Sequence, residues 1–352
     1  MTDEADAIVV GSGINGLVAA AELARAGWSV ILLERDAKIG GFIAAEERTL
    51  PGYLHDSFSS WHPLFVSGPA YAALGELLHR HGLEYRNTDG WVTASVADDG
   101  RATLAHRDPE RTAAEFAHAE DRSAYLAMLK RLGENMASIG GLLGSEVRSP
   151  AMVRYAIGLV RSGGLRGAEW WLRAAVTSGR AYLRRDFRGH EVDHLYAPWL
   201  LHAGLCPDHA AGGLMTPLFA GILHGFGLPV VAGGAGRFLA AFGSLLDSLA
   251  VRVETNVDVD RILVARGRAI DVLTPDDLRD RNPNAVSGDP YGGSAELDQT
   301  LLWRPLASSG RHATPVRRLW HIGASTHPGA GLGGGSGHLV ATRLTRRRAW
   351  QR

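Results

Sequence analysis

Cysteine is almost missing from this chain: Cys206 is the only one in 352 residues. That excludes an intrachain structural disulfide and a dithiol redox pair, and it leaves no cysteine cluster to hold a metal. No metal site is expected, and any redox chemistry has to come from a bound cofactor. Lysine is scarce too, with Lys38 and Lys130 alone, which reads as coding bias and not as chemistry. Neither sign of charge is in excess, 37 Lys+Arg standing against 37 Asp+Glu, so net charge makes no case for a nucleic-acid partner. A clean membrane-spanning run is also absent. From Leu195 to Gly236 the only acidic or basic residue besides histidine is Asp208, but prolines and glycines interrupt the stretch. It reads as core with part of it lining an apolar cavity, and peripheral membrane contact is the alternative. The acidic start, Met1 to Asp6, leads straight into an apolar run and is no signal peptide, so a cytoplasmic, at most membrane-associated, protein is expected.

What is present is concentrated between Ala7 and Glu34. Ala7-Ile8-Val9-Val10 has the composition of a buried parallel strand. Gly11-Ser12-Gly13-Ile14-Asn15-Gly16 follows, then an Ala- and Leu-rich helix from Leu17 to Ala26 closed by Gly27. Ser29 to Leu33 is a second strand with Glu34 at its end. Gly11 permits the tight turn, Gly13 lets backbone approach a pyrophosphate, and Gly16 lets helix pack on strand. The free N–H groups and the dipole of the helix start attract phosphate. Glu34, 23 residues after Gly11, is placed to accept from a ribose 2′-OH and would repel a 2′-phosphate. A dinucleotide site is therefore expected.

The length supports two domains. Beyond the fingerprint, His55-Asp56-Ser57-Phe58-Ser59-Ser60-Trp61-His62 is a polar, aromatic loop. Tyr71 to His81 reads as a helix, and Trp91–Val96 with Arg101–Leu104 as a hairpin about Asp98-Asp99-Gly100. Helices are expected from Asp108-Pro109, over Asp121 to Met136, after Ser149-Pro150, and in one stretch holding Trp170, Trp171, Leu172 and Tyr182. Pro229 to Arg237 precedes a helix over Phe238–Leu249, then strands at Val251–Asn256 and Val257–Val264.

Arg35-Asp36-Ala37-Lys38-Ile39-Gly40-Gly41, directly after the acid, resembles the signature of the two-dinucleotide-binding-domain flavoproteins, which include amine oxidases and phytoene desaturases. The resemblance implies FAD, with Gly40 and Gly41 passing beside its ribityl and phosphate part and Arg35 next to the acid. The Gly-Gly-x-Gly turn at Gly233 to Gly236, the helix and a Val-x-x-Ile strand look like the return of the chain to the FAD domain, with the Val259 backbone at the adenine and Ile262 behind it. Leu319 to Gly331, then Gly334-Gly335-Ser336-Gly337 and a helical tail over His338–Arg347, resemble the closing FAD motif of phytoene-desaturase-like oxidoreductases. That motif implies a strand ending at Gly323, a glycine loop along the flavin, and a helix start near Gly337 aimed at its pyrimidine side.

The expected fold is α/β: a Rossmann-like FAD-binding domain, with a central parallel sheet, helices and a β-meander, plus a mixed, largely helical substrate or cap domain. The FAD domain would take residues 1–95, 229–270 and 313–352, the cap 96–228, and a remnant of the substrate domain 271–312. The family normally has a long segment between the parts that here are Met1 to about Ile270 and about Asp271 to Arg352; here Ile270 runs directly into Asp271, as if a middle segment were missing. No second fingerprint opens a helix after a strand, so no NAD(P)H domain is expected. The function implied is hydride transfer between an apolar substrate and flavin N5, with oxygen, a quinone or a carrier as electron acceptor. No side-chain base can be named; His55, Asp56 and His327 are candidates for lining the flavin. The alternatives are an FAD-binding regulatory protein without turnover and an amine-oxidase-like flavoenzyme.

Overall fold

The computed structural model describes residues 4–56, 58–265, 268–273, 311–329 and 333–349. They divide between two units, one drawn from 1–86, 230–292 and 305–352, the other built on Asn87–Pro229.

The first unit opens with β1 (Ala7–Val10), α1 (Ile14–Arg25) and β2 (Val30–Leu33), the strand–helix–strand the sequence predicts. The strands are parallel, Ala7 opposite Val30 and Val10 opposite Leu33. A helix returns the chain between them, as parallel pairing requires. β3 (Ala45–Glu47) and β4 (Leu54–Asp56) form an antiparallel pair. α2 (Pro63–Val66) and α3 (Pro69–Arg80) each begin on proline, whose missing N–H costs nothing there. β5 (Tyr85–Arg86) ends this part.

The second unit starts with the expected hairpin, β6 (Trp91–Val96) and β7 (Ala102–His106). The rest is helical: α4 (Pro109–Ala114), α5 (Ala119–Leu143), α6 (Pro150–Val176), α7 (Gly179–Asp186), α8 (Glu191–His202) and α9 (Gly212–Phe226). Asp108, Ser149 and Ser178 cap α4, α6 and α7 by accepting from Glu110, Met152 and Ala181 N–H. The helical reading of the tryptophans needs one correction. Trp170 and Trp171 lie in α6, which ends at Val176, and Tyr182 lies on α7, because the Ser178 cap starts a new helix between them. α6 also carries a kink at Gly164, at φ 64° and ψ −174°.

Much of the stretch from Leu195 to Gly236 is core, as its composition suggests, although Leu201, Phe226 and Val230 are exposed. Leu195, Tyr196, Leu200, Phe219, Ala220 and Leu223 are buried in one cluster with Phe116, Tyr125 and Tyr182. Its prolines do not all break it: Pro198 and Pro217 lie inside α8 and α9, where surrounding packing outweighs one lost backbone hydrogen bond each. Tyr125 OH meets Tyr196 OH at 2.6 Å and His224 Nε2 at 2.7 Å, so the polar tips of this cluster satisfy one another. No helix among the described residues is long and apolar enough to cross a membrane.

The chain then re-enters the first unit through β8 (Val230–Val231), which pairs with β5, and α10 (Ala235–Ser248). β9 (Arg252–Glu254) lies parallel to β2, giving the sheet order β1-β2-β9. β10 (Arg261–Ala265) and β11 (Arg268–Leu273) are an antiparallel pair, and α11 (Gly335–Ala349) closes the unit. The Ile270–Asp271 junction, where the resemblance predicts a missing segment, falls inside β11, at a register shift opposite Leu263 and Val264. Most of the expected remnant at 271–312 lies outside the described residues, as do Arg266, Gly267, Ala330 and Gly331.

One expected strand starts late, at Arg261 of the expected Val257–Val264, and one is absent. Val257–Asp260 is not strand: Asn256 turns at φ 59°, and its N–H and that of Val257 donate to the Asp36 and Glu34 carbonyls, which breaks the ladder before β10. Leu319 to Ile322 makes a single bridge, Trp320 to Ala313. Its hydrogen bonds are local, Thr314 N–H to Leu319 carbonyl and His321 N–H to His312 carbonyl, so it folds on itself instead of extending the sheet.

The core of the first unit holds Leu17 and Val18 of α1, Leu32 of β2, Leu74 and Leu78 of α3, Phe238, Phe242 and Leu246 of α10, and Ala341 of α11. Each large side chain buried there is worth about 1.5–3 kcal/mol. The two ends of the chain are thus pressed together by α1 and α11, and that brings the glycine-rich segments into contact.

Candidate dinucleotide-binding site

The site grows from the turn between β1 and α1. Gly11 sits at φ 88°, open to glycine alone at no cost, and its N–H donates to the Leu33 carbonyl at 2.7 Å. Gly13 precedes α1 with no side-chain cap. The first helical hydrogen bond runs from Leu17 N–H to the Gly13 carbonyl, so the N–H groups of Ile14, Asn15 and Gly16 have no acceptor within the helix. A Cβ on Gly13 would meet nothing within 4 Å. A Cβ on Gly16 would overlap the Gly11 carbonyl oxygen, which is the close helix–strand packing expected of the third glycine.

Glu34 is buried at the end of β2 and ties the turn together. Its Oε2 accepts from Ser12 N–H at 2.7 Å and from the Ser12 hydroxyl, and its Oε1 from Asp36 N–H at 2.9 Å. Ser12, fully buried, also accepts from Gly40 N–H at 3.0 Å. Gly41, at φ 58°, lies so close that its Cβ would come within 3.2 Å of Gly13 Cα. Arg35 points outward, 3.6 Å from Asp36. Val257, not Val259, meets the end of β2 directly, through its N–H to the Glu34 carbonyl at 2.8 Å; Val259 is half-buried in the loop that follows.

The C-terminal segment reaches the same turn. The Ser336 hydroxyl donates to Asn15 Oδ1 at 2.8 Å and accepts from Gly323 N–H at 2.9 Å. Gly337 N–H points to Asn15 Oδ1 at 3.4 Å, and a Cβ on Gly337 would overlap the Asn15 carbonyl oxygen. Gly323 is at φ 123° with open space where a Cβ would be. Two turns further along α1, buried Glu22 pairs with His338 Nδ1 of α11 at 2.7 Å. Sequence reasoning missed Asn15 with Ser336, and Glu22 with His338, as paired residues. Each pair joins positions more than 300 residues apart, and no spacing rule connects them.

His55 and Asp56, two of the candidates for lining the flavin, each have a partner within the protein. His55, on β4, is exposed and paired with Thr49 Oγ1 at 2.8 Å. Asp56 accepts from Ala235 N–H at 2.8 Å and so caps α10. His62 is a core residue, held between Ser59 Oγ at 2.8 Å and Tyr85 OH at 3.0 Å and edge-on to Phe238. Burial lowers its pKa to about 4, with Asp56 pulling the other way. His327 is buried beside the Gly323 loop, and its carbonyl accepts from His312 Nε2 at 2.7 Å. No group of three or more His, Cys, Asp or Glu among the described residues could hold a metal ion.

Residues 9–80 match the family described as an NAD(P)-binding Rossmann-like domain. The chain is 25% identical over 278 residues to a subunit of the limonene dehydrogenase of Castellaniella defragrans, covering 76% of this chain and 48% of that protein. It is 28% identical over 280 residues to hydroxyneurosporene desaturase of Cereibacter sphaeroides, covering 76% of this chain and 53% of that one. The resemblance to phytoene-desaturase-like oxidoreductases holds. The fold agrees, since an oxidoreductase from Methanosarcina mazei superposes with a TM-score of 0.54 at 16% identity over 76% of this chain and 55% of that one. The chain spans about half the length of the curated relatives it matches.

Proposed function

We propose that this desaturase-like chain binds FAD and moves hydride between an apolar substrate and the flavin. The observation that carries the reading is the meeting of three glycine-rich segments: Gly11–Gly16, Gly40–Gly41, and Gly323 with Ser336–Gly337, linked by the Gly40–Ser12 and Ser336–Asn15 hydrogen bonds. The donor set fits a diphosphate. The N–H groups of Ile14 to Gly16 are uncapped, and a Cβ on the neighbouring Gly13 would meet nothing within 4 Å. Glu34 supports a ribose and disfavours a 2′-phosphate. When bound, FAD supplies the hydride-accepting N5.

The chain's own residues would do four things. The free amides of Ile14, Asn15 and Gly16 hold the diphosphate, and Glu34 orients the adenosine ribose. Gly40 and Gly41 let backbone lie flat against the ligand. Gly323 and the α11 start, fixed by Ser336, bring further amides to it. Substrate would be held by apolar contact, with water excluded and no side-chain base required. Electrons would leave to oxygen, a quinone or a soluble carrier. The names of the relatives, part of a limonene dehydrogenase and a hydroxyneurosporene desaturase, fit hydrogen removal from carbon.

The test is the absorbance spectrum and mass of whatever cofactor purified protein releases. FAD is expected, together with a rise in melting temperature when FAD is added. A colourless protein whose melting temperature ignores FAD overturns the proposal.

A further inference from the structure

We propose that α6 docks on an anionic lipid surface. Its sequence repeats one dipeptide type four times: Val153-Arg154, Val160-Arg161, Leu165-Arg166 and Leu172-Arg173. Within each half of the helix the repeats are seven residues apart, two turns, so the apolar members share a stripe and the arginines run along its flank. Between the halves the spacing is five, and the non-helical backbone of Gly164 takes up the difference. The side opposite the stripes is accounted for. Leu159 from the first half and Trp171 from the second are both buried in one cluster with Leu132, Ile139 and Leu218. Both stripes therefore face away from the same packed surface.

Val160 is half-buried, but the other apolar side chains of the stripes are exposed. Val153 is 59% exposed, Ile157 47%, Leu165 80%, Leu172 67% and Val176 55%. Single exposed apolar residues need no explanation, but a run of them along one helix does. Charge identifies the occupant. α6 contains four arginines and one acid, Glu169, a net charge of 4 − 1 = +3 on a chain whose overall balance is zero. Apolar side chains on one face with arginines at its border are what an interfacial helix presents to acyl chains and phosphate headgroups. A second copy fits worse, because two-fold packing through α6 would set the same arginines against each other with a single carboxylate from each chain. The stretch from Leu195 to Gly236, the membrane alternative on composition, has most of its large apolar residues buried and exposes Leu201, Phe226 and Val230 singly, on three different elements, so it presents no comparable stripe.

The experiment is co-sedimentation of the full chain with phosphatidylcholine vesicles, with and without phosphatidylglycerol, at low and high salt. Binding is expected only with phosphatidylglycerol, and salt should weaken it. Arg161→Gln and Arg166→Gln should each weaken it about fivefold. The Leu165→Asp/Leu172→Asp double variant should abolish it with melting temperature unchanged, since both side chains are exposed. Flavin absorbance of the same samples reports the cofactor site separately, so either idea can fail without the other. Equal binding of parent and double variant overturns the proposal, as does binding to neither vesicle. A dimer in light scattering that the double variant splits makes a second copy the occupant and overturns it too.

Discussion

Alanine at Gly13 and at Gly16 should separate the ligand's grip from the fold. At Gly13 a methyl group meets nothing within 4 Å, and the backbone is at φ −59°, open to any residue. The cost to folding is that of exchanging a tolerated N-terminal glycine for alanine, about 0.5–1 kcal/mol. The methyl would stand in the space where a diphosphate must lie against the Ile14 to Gly16 amides. At Gly16 the methyl overlaps the Gly11 carbonyl oxygen and comes within 3.1 Å of its carbon and 3.5 Å of Val9 Cγ1. Overpacking of that kind costs roughly 1–3 kcal/mol, of which better helix propensity returns up to about 1 kcal/mol. At roughly 2–4 °C per kcal/mol, Gly16→Ala should melt several degrees below the parent, and Gly13→Ala within about 4 °C of it. FAD at a hundred times its dissociation constant adds about 2.7 kcal/mol to a protein that binds it. The assay is thermal melting of parent and variants with and without FAD. The parent should gain about 5–10 °C, and Gly13→Ala should gain nothing while retaining its own fold. A Gly13→Ala protein with the full FAD-dependent rise refutes the placement of the diphosphate, whatever happens at Gly16.

Two further outcomes follow from the same geometry. Ser336→Ala removes the donor to Asn15 and the acceptor for Gly323 N–H; it should cost about 1–2 kcal/mol and weaken FAD in a titration, and an unchanged affinity would show that the α11 start is not part of the site. His62 should make the protein acid-sensitive, since its folded pKa of about 4 lies below its ordinary 6.5. The unfolded chain binds more protons between those values, so the contribution is complete above pH 6.5 and is lost as the pH falls towards 4. Between pH 7 and 5 urea unfolding should lose roughly 2 kcal/mol more in the parent than in His62→Gln, which does not titrate there.

The parts of the molecule that sequence reading anticipates are those whose cause is local. The Gly11–Gly16 turn, the alternation of the Trp91–Val96 hairpin and the Asp108 and Ser149 caps all act within a few residues, and all are where they were expected. Misreadings cluster where distant packing decides. Pro198 and Pro217 look like breaks in isolation, yet tertiary contacts hold α8 and α9 together around them. Leu319 to Ile322 has the composition of a strand, yet Thr314 and His312 capture its backbone first. The partners of His55 and Asp56, Thr49 and the α10 start, are likewise not legible from the sequence.

Glu34 shows how the local and the distant meet at one atom group. Its position after β2 is legible from spacing and suggests a ribose acceptor. Its partners are not legible: Ser12 N–H, the Ser12 hydroxyl and Asp36 N–H all converge on it. The two roles do not compete, because a carboxylate offers about four acceptor sites and these donors take three. The same side chain therefore holds the glycine turn in shape before any ligand arrives and keeps one direction for a ribose hydroxyl. On that account Glu34→Gln should do two separable things. It converts one acceptor oxygen into a donor facing Asp36 N–H or Ser12, lowering stability by about 1–3 kcal/mol without ligand, and it weakens FAD by more than that loss alone explains. A variant that loses stability but binds FAD as tightly as the parent would leave Glu34 a turn-former only, and the ribose would need another partner.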